Sequence, residues 1–220
     1  MTSVVLAAHG TRSPAGQAAY AALLTAVRAR LPHLPVDLGF VDVQQPTLAE
    51  VVDAAPTPPV IVPLFLAAGV HVRHDVPAAA ARRPGSAVLL HLGGWAEVEQ
   101  VHLDRLRGSE PGRAVLVAAG SSDADARAEV AELAARLADR SGRSVVHAFL
   151  GGEGPHVDAV LTPEDLVLNH LLAPGHFADR LRERESAHGV PASAPLLPEA
   201  TNALADAIAC RVMAHLRHAT

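Results

Sequence analysis

His9, Asp42 and His71 are the residues of this chain best placed to carry chemistry. Each follows a short apolar run that reads as a strand, and in an open parallel sheet ligands bind beyond the strands' C-terminal ends. Two neutral imidazoles and a carboxylate suit a borderline divalent ion such as Fe, Co, Ni or Zn, with coordination positions left open. The same imidazoles accept protons near neutral pH. A plainer reading stands beside this one, because a chain with 13 histidines places some at strand ends by chance. His74 competes with His71 as a ligand or else faces solvent on the helix that starts there. His33, His102, His188, His215 and His218 read as solvated, and His176 reads either way.

Composition removes several other chemistries. All 18 basic residues are arginine. Without lysine there is no P-loop lysine, no lysine Schiff base and no lysine general base in this chain. Cys210 alone makes neither an internal disulfide nor a cysteine metal site. No Gly-x-Ser-x-Gly elbow is present. Gly151-Gly152-Glu153-Gly154-Pro155 lacks the dinucleotide-binding spacing and reads as a loop. His9 follows Ala8, where histidine phosphatases carry arginine, which leaves a His9-based hydrolase the weakest reading. The net charge of -5 and the absence of a basic stripe argue against nucleic acid as a partner. No run approaches the roughly 18 apolar residues of a membrane span. Met1-Thr2-Ser3 lacks the basic start of a signal peptide, so a cytoplasmic location is expected.

The elements that must position these residues alternate. Strands are expected over 3–8, 36–43, 60–66 and 87–91, with helices over 18–31, 47–54, 75–83 and 96–107. The second half repeats the plan. Strands are expected over 113–118, 145–150 and 166–172. A helix capped by Asp123 or its neighbour ends at Gly142, and two more span 175–185 and 199–216. Strand and helix in alternation predict an α/β fold with mostly parallel sheets. The halves also match in sequence: Leu6-Ala7-Ala8-His9-Gly10 lies over Leu116-Val117-Ala118-Ala119-Gly120, and Phe65–His71 over Leu171–Phe177. An internal duplication follows, with one domain over 1–109 and a second over 110–220. Ala119 and Phe177 stand where the first half has His9 and His71, so one half is armed and the other disarmed.

Ala8-His9-Gly10-Thr11-Arg12 after a first strand resembles the opening of the class II tetrapyrrole chelatases of the CbiX/SirB type. Pro63-Leu64-Phe65-Leu66-Ala67-Ala68-Gly69-Val70-His71 and the following Asp75-Val76-Pro77 are similar to that family's second signature. Phe40-Val41-Asp42 with Pro46-Thr47-Leu48 is similar to its Phe-x-Glu-x-x-x-Pro-Ser/Thr-Leu segment, with Asp in place of Glu. The resemblance implies two chelatase-like α/β domains fused in one chain, with the active cleft between them. It implies ATP-independent insertion of Fe2+ or Co2+, with Ni2+ a further candidate, into sirohydrochlorin on the way to sirohaem or cobalamin. The metal is then a substrate and no organic cofactor is needed. His9 and His71 would hold the metal and take up the pyrrole protons. Asp42 would be a third ligand or a partner orienting a histidine. Arg12 and Arg73 would be either contacts for the macrocycle's carboxylates or ordinary surface arginines. Asp75 reads as an early-helix residue favoured by the helix dipole. A fused pair completes its own cleft, so a monomer is expected. A non-catalytic metal or tetrapyrrole carrier of the same fold is the alternative.

Overall fold

The computed structural model describes residues 2–191 and 193–218. The first half runs β1 (Val4–Ala8), α1 (Pro14–Arg30), β2 (Val36–Phe40), α2 (Leu48–Ala54), β3 (Val60–Pro63), a π-helical turn (His71–Asp75) leading into α3 (Val76–Ala81), β4 (Ala87–Val88) and α4 (Ala96–Arg107). The second half runs β5 (Ala114–Ala118), α5 (Ala124–Ser141), β6 (Val145–Phe149), α6 (Val157–Val160), β7 (Leu166–His170), α7 (His176–His188) and α8 (Thr201–His218).

The strands form two parallel sheets, ordered β2-β1-β3-β4 and β6-β5-β7. This is the expected fold class, with the first and second strands of each half in the same relative places. The uninterrupted runs Val4–Ala8 and Ala114–Ala118 are buried along their whole length because helices cover both faces of each sheet. Local chemistry fixes the helix ends. Ser13 caps α1 through the Gly16 N–H with Pro14 in the first turn, and Thr47 and Glu50 form a reciprocal capping box on α2. Asp123 caps α5, and Gly142 ends it in the left-handed conformation.

Three strands of the first half stop short of expectation. β2 ends at Phe40 because the chain folds into a tight turn at Asp42–Gln44, where Val43 has φ 51°. β3 ends at Pro63, although the Leu64 N–H still reaches the Ala7 carbonyl. β4 spans only Ala87–Val88, since His91 turns inward instead of continuing the edge.

A boundary between 109 and 110 separates the strands into their two sheets, but the helices cross it. Leu103 and Leu106 of α4 pack into the second half's core with Leu116, Val130 and Leu133. In return Leu204, Ile208 and Val212 of α8 complete the first half's core with Leu6, Leu23 and Val27. Arg30 pairs with Asp206, while Arg211 pairs with Glu97 and lies 4.1 Å from the centroid of the Trp95 ring. Each sheet is thus covered in part by a helix from the other half of the chain.

Candidate active site

β1 delivers His9 to the edge of a cleft of about 930 Å³, lined by residues of both halves. Gly10, at φ +95°, lets the Asp42–Gln44 turn lie directly against it, since a Cβ there would stand 2.5 Å from the Asp42 carbonyl. The turn is tied to the β1 end by Asp42 N–H to the His9 carbonyl at 3.1 Å and Thr11 N–H to Gln44 Oε1 at 3.1 Å. His9 is therefore held on a fixed backbone while its ring remains exposed.

His71 arrives from the chain beyond β3. Its ring lies edge-on to His9, with centroids 4.8 Å apart and planes at 84°, and stacks on Phe65 at 6.0 Å. The π-helical turn aligns His71 with Asp75, whose Oδ2 stands 2.6 Å from His71 Nδ1. An ionised carboxylate only accepts, so Nδ1 carries the proton and Nε2 keeps the free lone pair. Asp75 thus does more than favour a helix start. It sets the tautomer of His71.

The loop before His71 is anchored to the opposite half. Glu129 Oε2 accepts from the Ala68 N–H at 3.0 Å and contacts His91 Nε2 at 2.9 Å. Arg73 donates to the Ala68 carbonyl at 2.8 Å and pairs with Asp123 at 3.1 Å and Asp125 at 3.0 Å. Chiefly the Ala126 N–H, with Arg73 adding to it, draws the Asp123 carboxyl below its usual range. Close backbone packing fixes the cleft elsewhere. A Cβ on Gly16 would meet the Pro174 carbonyl at 2.2 Å, and one on Gly93 the Leu66 carbonyl at 2.0 Å.

The other expected residues divide. Arg12 is exposed and lines the cleft. Arg73 does not line it, and its guanidinium braces the two halves. Asp42 is not gathered with the histidine pair either. Its Oδ1 accepts from the Val43 N–H at 2.7 Å, and among the described residues no three His, Cys, Asp or Glu side chains form a metal-holding group. His74 is exposed and lies outside the cleft lining. His176 lines the cleft beside Phe177, the counterpart of His71.

His102 corrects the expectation of a solvated side chain, because it is fully buried. The Leu66 carbonyl accepts from His170 Nε2–H at 3.4 Å, so His170 Nδ1 accepts in turn from His102 Nε2–H at 3.0 Å. His102 Nδ1 has no partner. Burial pushes His170 down to about 4 and holds His102 well below its usual value, the neighbouring His170 and Arg105 adding to the latter. His170, which lines the cleft floor, and buried His91 are the two site-proximal histidines that sequence reading missed. The signal for His170 was its place, beside Asn169, in a mostly apolar run. His91 carried no such signal.

The family model described as CbiX matches residues 3–107. Sirohydrochlorin ferrochelatase of Bacillus subtilis is 27% identical over 175 residues, spanning 73% of this chain and 67% of that protein. Sirohydrochlorin cobaltochelatase of Methanopyrus kandleri is 35% identical over 81 residues, spanning 35% of this chain and 57% of that protein. The crystal structure of the sirohydrochlorin chelatase SirB from Bacillus subtilis subspecies spizizenii in complex with cobalt superimposes with TM-score 0.72 at 25% identity, covering 92% of each chain. No helix among the described residues is long and apolar enough to cross a membrane. Both parallel sheets and the His9 and His71 segments thus fall within a chain whose residues 3–107 match the CbiX model and whose fold is similar to that of the cobalt-bound chelatase.

Proposed function

We propose that this chain inserts a divalent metal, Fe2+ or Co2+, into sirohydrochlorin without ATP, serving sirohaem or cobalamin formation. The observation that carries this reading is the meeting of His9 and His71, ring centroids 4.8 Å apart, on one wall of a cleft spacious enough for a macrocycle. The names of the chelatase relatives support the substrate and reaction class.

The chemistry follows from the two imidazoles. The metal is a substrate, and neutral His9 and His71 offer it lone pairs while leaving positions open toward the ring. As the ion passes to the macrocycle's nitrogens, two pyrrole protons must leave. The imidazole nitrogens vacated by the metal are then the nearest bases to receive them. The Asp75 carboxylate on Nδ1 fixes the tautomer and orientation of His71 and faces the imidazolium that forms. Phe65, stacked against the His71 ring, restrains its orientation. Arg12 at the cleft wall suits a peripheral carboxylate of the ligand. Both walls come from one chain, which favours a monomer, and the same proposal places it in the cytoplasm.

The test is anaerobic insertion of Co2+ or Fe2+ into sirohydrochlorin, followed by absorbance. The wild-type chain is expected to accelerate it, and His9→Ala and His71→Ala are each expected to abolish that acceleration while the fold persists by circular dichroism. Unchanged turnover in both variants refutes the reading. Tight binding with no acceleration in the wild type replaces it with the carrier reading.

A further inference from the structure

Val43 is the one non-glycine residue with positive φ among the described residues, at 51°. For a β-branched side chain this is a true outlier, because Cβ crowds its own backbone. The turn around it is closed by Gln44 N–H to the Asp42 carbonyl at 2.6 Å, the three-residue γ-turn of the rare, strained hand. The surroundings over-determine it. Asp42 Oδ1 holds the Val43 N–H, Gln44 Oε1 holds the Thr11 N–H, and Gly10 leaves room beneath. An isopropyl group kept in such a backbone and left 40% exposed contributes little to the core, and it lines the cleft beside His9.

Two other large apolar side chains share this cleft and are also exposed: Val70, immediately before His71, at 51%, and Phe177 at 40% on the second half's wall. Among the described residues, three of the six large exposed hydrophobic side chains thus fall in a single cleft, next to the histidine pair, with Arg12 on the same lining. An apolar surface flanking metal-binding groups, with a cation nearby, fits a flat conjugated ring bearing carboxylates.

We infer that Val43 is a ligand-contact residue, pressed by its strained turn against one face of the macrocycle while Phe177 meets the ring from the opposite wall. This rests on the chelatase reading and extends it. It also gives Asp42 a role: its carboxylate holds the turn that presents Val43. Strain at a binding site is retained when the surrounding structure enforces it and the presented group has a use.

Val43→Gly removes the side chain and the backbone strain together, and Val43→Asn keeps a residue that tolerates this conformation but withdraws the apolar contact. Both variants are to be titrated with metal-free sirohydrochlorin by absorbance and, separately, with Co2+ alone. The expected result is sirohydrochlorin affinity lowered about fivefold or more, the scale of one or two buried methyl groups. Affinity for Co2+ should be unchanged, and the melting temperature of Val43→Gly should be no lower than that of the wild type. A wild-type chain that binds sirohydrochlorin, with variants that bind it equally well, overturns the assignment alone. A wild-type chain that does not bind sirohydrochlorin overturns the chelatase reading and the assignment with it.

Discussion

Asp75 Oδ2 lies 2.6 Å from His71 Nδ1, across a single π-helical turn. Asp75→Asn keeps the shape but replaces the carboxylate that fixes the tautomer and orientation of His71 with a neutral amide. Metal affinity is expected to fall by about 10- to 100-fold. Isothermal titration with Co2+ checks it, and an unchanged affinity would detach Asp75 from the site.

Glu129 holds both the Ala68 N–H and His91 from across the cleft. Glu129→Ala leaves a part-buried amide and a buried imidazole without their acceptor. The expected loss is about 1–3 kcal/mol of stability, read by urea denaturation. Turnover should fall further than the folded fraction accounts for, because the chain leading to His71 loses its anchor.

The buried pair His102 and His170 makes stability depend on pH in a stated direction. Their folded values lie below that of an unfolded histidine, so between pH 6.5 and about 4 the unfolded chain binds more protons. Stability is full above pH 6.5 and is lost as pH falls through that window. For His170 alone the slope approaches about 1.4 kcal/mol per pH unit. His170→Phe combined with His102→Leu should flatten the curve, and chemical denaturation at pH 5 and pH 7 reads it. A slope identical to that of the wild type would contradict the assignment.

Gly16 and Gly93 mark where the backbone approaches closely. Gly93→Ala would drive a methyl into the Leu66 carbonyl, and Gly16→Ala one into the Pro174 carbonyl. Each is expected to cost about 1–3 kcal/mol, seen as a lowered melting temperature. Turnover should also be reduced at permissive temperature, because the Gly16 contact joins the two halves and the Gly93 contact backs the cleft-lining Leu66.

The residues that read clearly in sequence were those whose role is local. Asp123 and Gly142 mark the ends of α5 by their own capping chemistry, and the apolar runs ending at His9 and near His71 announce buried parallel strands with histidines beyond them. What escaped depends on distant partners. His102 sits on a helix that reads as amphipathic and solvated at that position. Its burial follows from α4 crossing to the second sheet, which places it against His170. Arg73 looks like a free cation beside a key histidine until Asp123 and Asp125 are brought to it by the fold. Asp75 falls where a helix start was expected, and only the wider π-helical turn reveals it as the partner of His71.

The exchange of α4 and α8 bears on how the duplicated chain can vary. A cut between the halves would strip each sheet of the helix supplied by the other and expose Leu103 and Leu106 on one fragment and Leu204 and Ile208 on the other. Each fragment is the natural complement of its counterpart, and neither is a self-sufficient unit. The second half, with Ala119 and Phe177 at the places of His9 and His71, is therefore bound to remain: it cannot be discarded, because the first half is folded around a helix that only the second provides.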